Sequence, residues 1–128
     1  MVLTKSKSIL EVKSESFAGR IIKLYVYLKD VKNESIISKQ LYRCGTSIGA
    51  NIAESRYAQS DADFVSKLSI ALKEASETCY WLNCLKNANI LEEKGYVSVY
   101  GDAIELVKML TSSIKTKKEN MSKEDSNR

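Results

Sequence analysis

The chain has 128 residues, a formal net charge of +4, three cysteines, and neither proline nor histidine, which leaves room for one domain with a real core and none for a second. Without histidine, Ser-His and Cys-His nucleophilic pairs and a histidine general base are excluded, and with them most hydrolase designs. With five glycines and no proline, little punctuates the chain as a sandwich or barrel would require, and no apolar run approaches the roughly 18 residues of a membrane span.

Phe17, Ile21, Leu24, Tyr25 and Leu28 recur at helical spacing and predict a first helix from about Glu11 to Asp30. Ile22 and Tyr27 fall beside that stripe and widen the apolar face beyond what one partner helix covers. Residues 1–10 read as a flexible lead-in. A polar turn, Lys32-Asn33-Glu34-Ser35, precedes a second helix from Ser35 to about Tyr57, with Glu34 or Ser35 placed to open it. Ile37, Leu41, Ile48 and Ile52 form its apolar stripe. Gly45, Gly49 and Ala53 form a second, smooth stripe on which another helix can pack closely.

Ser60-Asp61-Ala62-Asp63 is a capping-box-like start in which the Ser60 hydroxyl accepts from the Asp63 backbone N–H. Phe64, Leu68, Ala71, Leu72, Ala75, Cys79, Leu82 and Leu85 then give the strongest helical period in the chain. Asn87-Ala88-Asn89 ends this third helix, because asparagine tolerates the left-handed conformation of a helix stop, and Ile90 and Leu91 anchor the turn. The fourth helix starts near Glu92, weakly because of Gly95, Val97 and Val99, and carries Tyr100, Ile104, Val107, Leu110 and Ile114 inward. Beyond Thr116 the chain is almost wholly polar, so the domain is set at residues 11–117 and residues 118–128 are expected to be a disordered tail. Short turns between helices of about 30–40 Å predict an all-α, antiparallel up-down-up-down four-helix bundle.

Little chemistry is written into these helices. Gly45-Thr46-Ser47-Ile48-Gly49 lacks the Gly-Lys-Ser/Thr ending of a phosphate loop and sits inside a helical pattern. Glu54, Glu74 and Glu77 lack the Glu-x-x-His pairs of a di-iron bundle, and Cys79 and Cys84 have no histidine to complete a common zinc site, so no metal and no cofactor are expected. An odd number of cysteines reads as reduced thiols. Arg43, Asn51, Glu54, Lys67 and Glu74 lie near the apolar faces of the second and third helices. A register-setting hydrogen-bond network, with Arg43 paired to Glu54 or Glu74, is favoured there over a ligand cluster. Trp81 and Tyr80 at helical spacing read as packing residues rather than base-stacking ones.

The positive excess lies in the first half: seven Lys/Arg against four Asp/Glu in residues 1–34, and three against one in residues 35–60. Such a balance permits nucleic-acid contact. Among Lys5, Lys7, Lys13, Lys23, Lys29, Lys32 and Lys39, the four from Lys23 onward are the candidate phosphate contacts. A lysine- and serine-rich opening with no apolar block reads as a cytoplasmic protein with no membrane association.

Ser38-Lys39-Gln40-Leu41, Arg43, Thr46-Ser47-Ile48-Gly49-Ala50-Asn51-Ile52 and Glu54, followed by Ala58-Gln59-Ser60, Asp63-Phe64, Lys67-Leu68 and Ala71-Leu72-Lys73-Glu74-Ala75, resemble the bacterial four-helix bundle protein family, also called the 23S ribosomal RNA intervening-sequence protein family. The match runs from about Phe17 to Lys117. The resemblance implies an antiparallel bundle assembling into a ring-like homopentamer, and a related architecture occurs in a nucleic-acid-binding accessory protein of diversity-generating retroelements. Fold does not carry function with it. Two expectations follow: a non-enzymatic RNA- or DNA-associated adaptor, or a protein scaffold that binds no nucleic acid.

Overall fold

The computed structural model describes residues 6–127 as four helices in chain order: α1 (Ile9–Asp30), α2 (Ile37–Ser55), α3 (Asp61–Asn87) and α4 (Glu93–Ser126). Each packs antiparallel on its neighbour in sequence, and α4 closes the bundle against α1. The core runs the length of the bundle through Phe17, Ile21 and Leu28 of α1, Leu41, Ile48 and Ile52 of α2, Leu68 to Leu85 of α3 and Val99 to Ile114 of α4. Four buried hydroxyls sit in it without penalty, because each returns its hydrogen to its own chain: Ser14 to the Glu11 carbonyl, Ser38 to Glu34, Ser55 to Ile52 and Thr78 to Glu74.

Local chemistry sets the ends. Ser8 opens α1 earlier than its apolar stripe implies: its hydroxyl accepts from the Glu11 N–H at 3.1 Å and the Glu11 carboxylate accepts from the Ser8 N–H at 3.3 Å, a full capping box. The helix therefore takes in residues 9 and 10 of the stretch expected to be flexible, while residues 1–5 lie outside the described residues. At α2 the cap is Glu34, whose carboxylate accepts from the N–H groups of Ile36, Ile37 and Ser38. Ser60 caps α3 by accepting from the Asp63 N–H at 3.0 Å. Asn89, at φ 60°, stops that helix; the Ile90 N–H returns to the Leu85 carbonyl and the Asn89 N–H to Lys86, the Schellman pattern.

The fourth helix departs most from expectation. It does not fray at Thr116 but continues to Ser126, through the stretch expected to be a disordered tail, with Arg128 outside the described residues. Lys117 pairs with Asp61, the first residue of α3, so the turns after it project about 13 Å past the bundle end at 1.5 Å per residue. Lys, Glu and Met are good helix formers, no Gly or Pro interrupts them, and Lys115, Glu119 and Lys123 recur at intervals of four. A helix end needs a stop signal, and none is present.

The α1–α2 seam is set by glycine. A Cβ on Gly45 would meet Cγ1 and Cγ2 of Ile21 at 2.9 Å, and one on Gly49 would meet the Ser14 carbonyl oxygen at 3.2 Å. Ala53 is exposed and does not share this close approach. Successive steps of four residues turn about 40° beyond a full helical turn, so the small-residue stripe rotates out of the seam by its third member.

Candidate nucleic-acid interface

Arg43, Asn51, Glu54, Lys67 and Glu74 lie along the α2–α3 seam but do not form one cluster. Arg43 reaches Glu74 at 3.5 Å and also pairs with Glu77. Three turns further along α2, Glu54 pairs instead with Lys67 at 3.6 Å. Asn51 donates to the Ser47 carbonyl at 2.9 Å, within its own helix. The two clasps are interfacial and partly solvated, with the Arg43 side chain 51% exposed. Each is worth at most about 1 kcal/mol, so they fix helix register more than they stabilise.

Stronger clasps join elements far apart in sequence. Arg56 Nε and Nη2 both reach Glu11 Oε2, at 3.0 and 2.9 Å, with the side chains 17% and 18% exposed, and Nη2 also donates to the Ser6 carbonyl. Burial works to raise the Glu11 pKa, but the Ser8 N–H and then Arg56 outweigh it and hold the carboxyl below its ordinary value. On the α1–α4 side, Arg20 reaches Asp102 at 2.5 Å and the Ser98 hydroxyl at 2.9 Å, and Lys13 reaches Glu105 at 2.8 Å. These contacts were not legible from the sequence, because only the stagger of the helices decides which charges meet.

A cleft of about 860 Å³ opens at the bundle end where α1 and α3 begin, floored by Leu10, Ile52, Phe64 and Leu68. Its two cations, Arg56 and Lys117, are held by Glu11 and Asp61, so it offers no surplus charge to an anion. Cys44 is fully buried, its Sγ lies 3.3 Å from the Thr78 hydroxyl oxygen, and its thiol is pushed up to about 11 by burial. Such a thiol stays protonated and unreactive. All three cysteines are free, and among the described residues no group of three His, Cys, Asp or Glu side chains could hold a metal ion. No helix among them is long and apolar enough to cross a membrane.

Among the described residues, Lys73, Lys94, Lys108, Lys115, Lys118 and Lys123 of α3 and α4 form no ion pair, and a further group of lysines lies at the other end of the bundle. Lys23, Lys29, Lys32 and Lys39 stand around the α1–α2 turn; Lys5 lies outside the described residues. Lys29 has a loose contact with Asp30 at 3.9 Å, and among the described residues Lys23, Lys32 and Lys39 form no ion pair. The antiparallel register that sets Gly45 on Ile21 and Tyr42 on Tyr25 places Lys39 opposite Lys29, with Lys32 in the connecting turn. Lys23 is about 120° around α1 from Lys29 and faces elsewhere. One turn further from the connecting turn than Lys29 and Lys39 lies an aromatic pair that sequence reasoning missed: Tyr25 and Tyr42, with ring centroids 5.0 Å apart. Its only sequence signal is a lysine one turn from each tyrosine.

The family model described as 23S rRNA-intervening sequence protein matches residues 7–112. A crystal structure of a protein with unknown function from the S23 ribosomal protein family of Bacteroides thetaiotaomicron is similar at a TM-score of 0.83 and 48% sequence identity, over 84% of this chain and 99% of that one. Among curated proteins no relative matches.

Proposed function

The chain belongs to the 23S rRNA-intervening sequence protein family, and from that premise we propose that it is a non-enzymatic, cytoplasmic, homo-oligomeric bundle protein that associates with RNA or DNA through the lysines of its α1–α2 end. The observation that carries this reading is the grouping of Lys29, Lys32 and Lys39 around one turn beside the Tyr25–Tyr42 pair. Arg20, Arg43, Arg56, Lys13, Lys67 and Lys117 are engaged in clasps between helices. Lys39 is exposed and Lys32 half-buried, neither in an ion pair among the described residues; of the two carboxylates nearest Lys32 in sequence, Glu34 is taken up in capping α2 and Asp30 lies 3.9 Å from Lys29. Repetition of this patch around an assembly raises avidity without any new type of contact.

Assembly is favoured by the outer face of α1. Val12, Ile22 and Val26 are exposed there with Gly19 between them, on the side away from Phe17, Ile21 and Leu28. Five subunits is the number the family resemblance implies. A protein scaffold that binds no nucleic acid is the second reading, favoured by this same apolar face. Fluorescence anisotropy with long RNA and DNA at rising salt separates the two: phosphate contacts require affinity to fall steeply with salt, whereas absence of binding at low salt leaves the scaffold.

A further inference from the structure

Lysines read phosphates, and phosphates are common to single strands and duplexes. The aromatic pair set among these lysines discriminates further. Three aromatic pairs occur among the described residues, and one is closed to a ligand by stacking. Tyr96 and Tyr100 stack at 29°, with Lys86 over the Tyr96 ring at 4.6 Å and the Tyr96 hydroxyl donating to Asn83. Tyr80 and Trp81 meet edge to face, with Tyr80 60% exposed, but the charged residue one turn before them is the acidic Glu77, which repels a phosphate. Tyr25 and Tyr42 are unstacked and have a lysine one turn away on each helix. Their planes are tilted by 48°, so neither ring covers the other, and Tyr42 is 40% exposed. Lys29 follows Tyr25 by one turn and its Nζ lies over that half-buried ring, 5.7 Å from the centroid, which leaves Tyr42 as the accessible ring, and Lys39 precedes Tyr42 by one turn on the facing helix.

We propose that the Tyr25–Tyr42 pair is a stacking site for an unpaired base of a single-stranded nucleic acid, with Lys29, Lys32 and Lys39 taking the flanking phosphates; this rests on the nucleic-acid reading above and narrows it. A base in a duplex is stacked on its neighbours and presents only its edge, so a flat aromatic surface offers it nothing. A base in a single strand has a free face, and stacking on tyrosine is tolerant of its identity. Asp30, the acid beside Lys29, lowers the local surplus without cancelling it, because Lys32 and Lys39 are unpaired.

The test measures anisotropy of labelled oligo(dT), oligo(U) and a matched DNA duplex at low salt. Tyr42→Leu should weaken binding of both single strands about tenfold and leave the duplex unchanged, while Tyr42→Phe, which keeps the ring, should bind as the unaltered protein does. A strand of abasic residues, carrying phosphates without bases, should bind the unaltered protein as weakly as oligo(dT) binds Tyr42→Leu; this arm needs no variant to fold. Lys29→Gln with Lys39→Gln should weaken all three ligands and flatten the salt dependence. If the lysine changes act but Tyr42→Leu and the abasic strand make no difference, the stacking proposal is overturned and the phosphate reading stands. If nothing binds, both fall. Preference for oligo(U) over oligo(dT), or the reverse, identifies RNA or DNA as the better ligand, and either result supports the site provided the Tyr42 dependence holds.

Discussion

Gly45→Ala tests the α1–α2 seam most directly, because the added group is a single methyl and its surroundings are known. The new Cβ would stand 2.9 Å from both Cγ1 and Cγ2 of Ile21 and 3.3 Å from its Cβ, against an ordinary carbon–carbon contact of about 3.5–4.0 Å. Ile21 cannot swing aside: it is fully buried, and a β-branched side chain in a helix has one strongly preferred χ1. The two helices must separate by several tenths of an ångström, an overpacking cost of about 1–3 kcal/mol. Alanine recovers about 1 kcal/mol of helix propensity over glycine, so the net change lies between about 0 and 2 kcal/mol of destabilisation. Gly101→Ala supplies the reference, since nothing lies within 4 Å of the new Cβ and it should stabilise by about 1 kcal/mol. The steric part is the difference, about 1–3 kcal/mol, read as urea midpoints followed by helical circular dichroism at one fixed protein concentration. Ile21→Ala removes both clashing γ carbons, so Gly45→Ala paired with it should destabilise by less than the sum of the two single changes. Gly45→Ala stabilising as much as Gly101→Ala would refute close packing as the reason for the glycine.

Light scattering should give a mass several times that of the chain, and Ile22→Glu with Val26→Glu, which place charge on the exposed face of α1, should reduce it to that of one subunit; a monomeric parent at micromolar concentration would sink the assembly. Glu11 has a folded-state pKa below its unfolded value, so its contribution is fully present above about pH 4.3 and is lost as pH falls through the folded value. Urea midpoints measured from pH 7 to pH 3 should therefore drop less in Glu11→Gln than in the parent, from a lower starting value. With its thiol pushed up to about 11, Cys44 should resist a thiol reagent at pH 8 in the native protein and react once denaturant is added; rapid native labelling that persists in Cys79→Ser/Cys84→Ser would contradict its burial.

How much of this was legible in the sequence depends on which force sets each feature. Helix positions follow from burial, and burial leaves a periodic trace, so Phe17 to Leu28 and Leu68 to Leu85 mark their faces without any knowledge of partners. Helix ends follow from local bonds and are legible where the bonding residue is close in sequence, as with Ser60 and Asn89. The α4 terminus was misjudged because loss of the apolar stripe shows only that burial has ended; helical backbone persists wherever good helix formers continue without a stop. Contacts between helices depend on stagger and rotation. Numbers that rise along α2 fall along α3, which delivers Arg43 to Glu74 and Glu77 but leaves Glu54 to Lys67, and no helical wheel drawn for one helix contains that offset. The candidate site belongs to this last class. Tyr25 reads as one member of the first apolar stripe and Tyr42 carries no signal until the glycine seam draws α1 onto α2 and fixes the register that joins them. The same closeness that Gly45 permits thus sets a half-exposed aromatic pair one turn from two lysines, so substitutions that prise the seam apart should disturb the proposed stacking surface even though Gly45 touches no ligand.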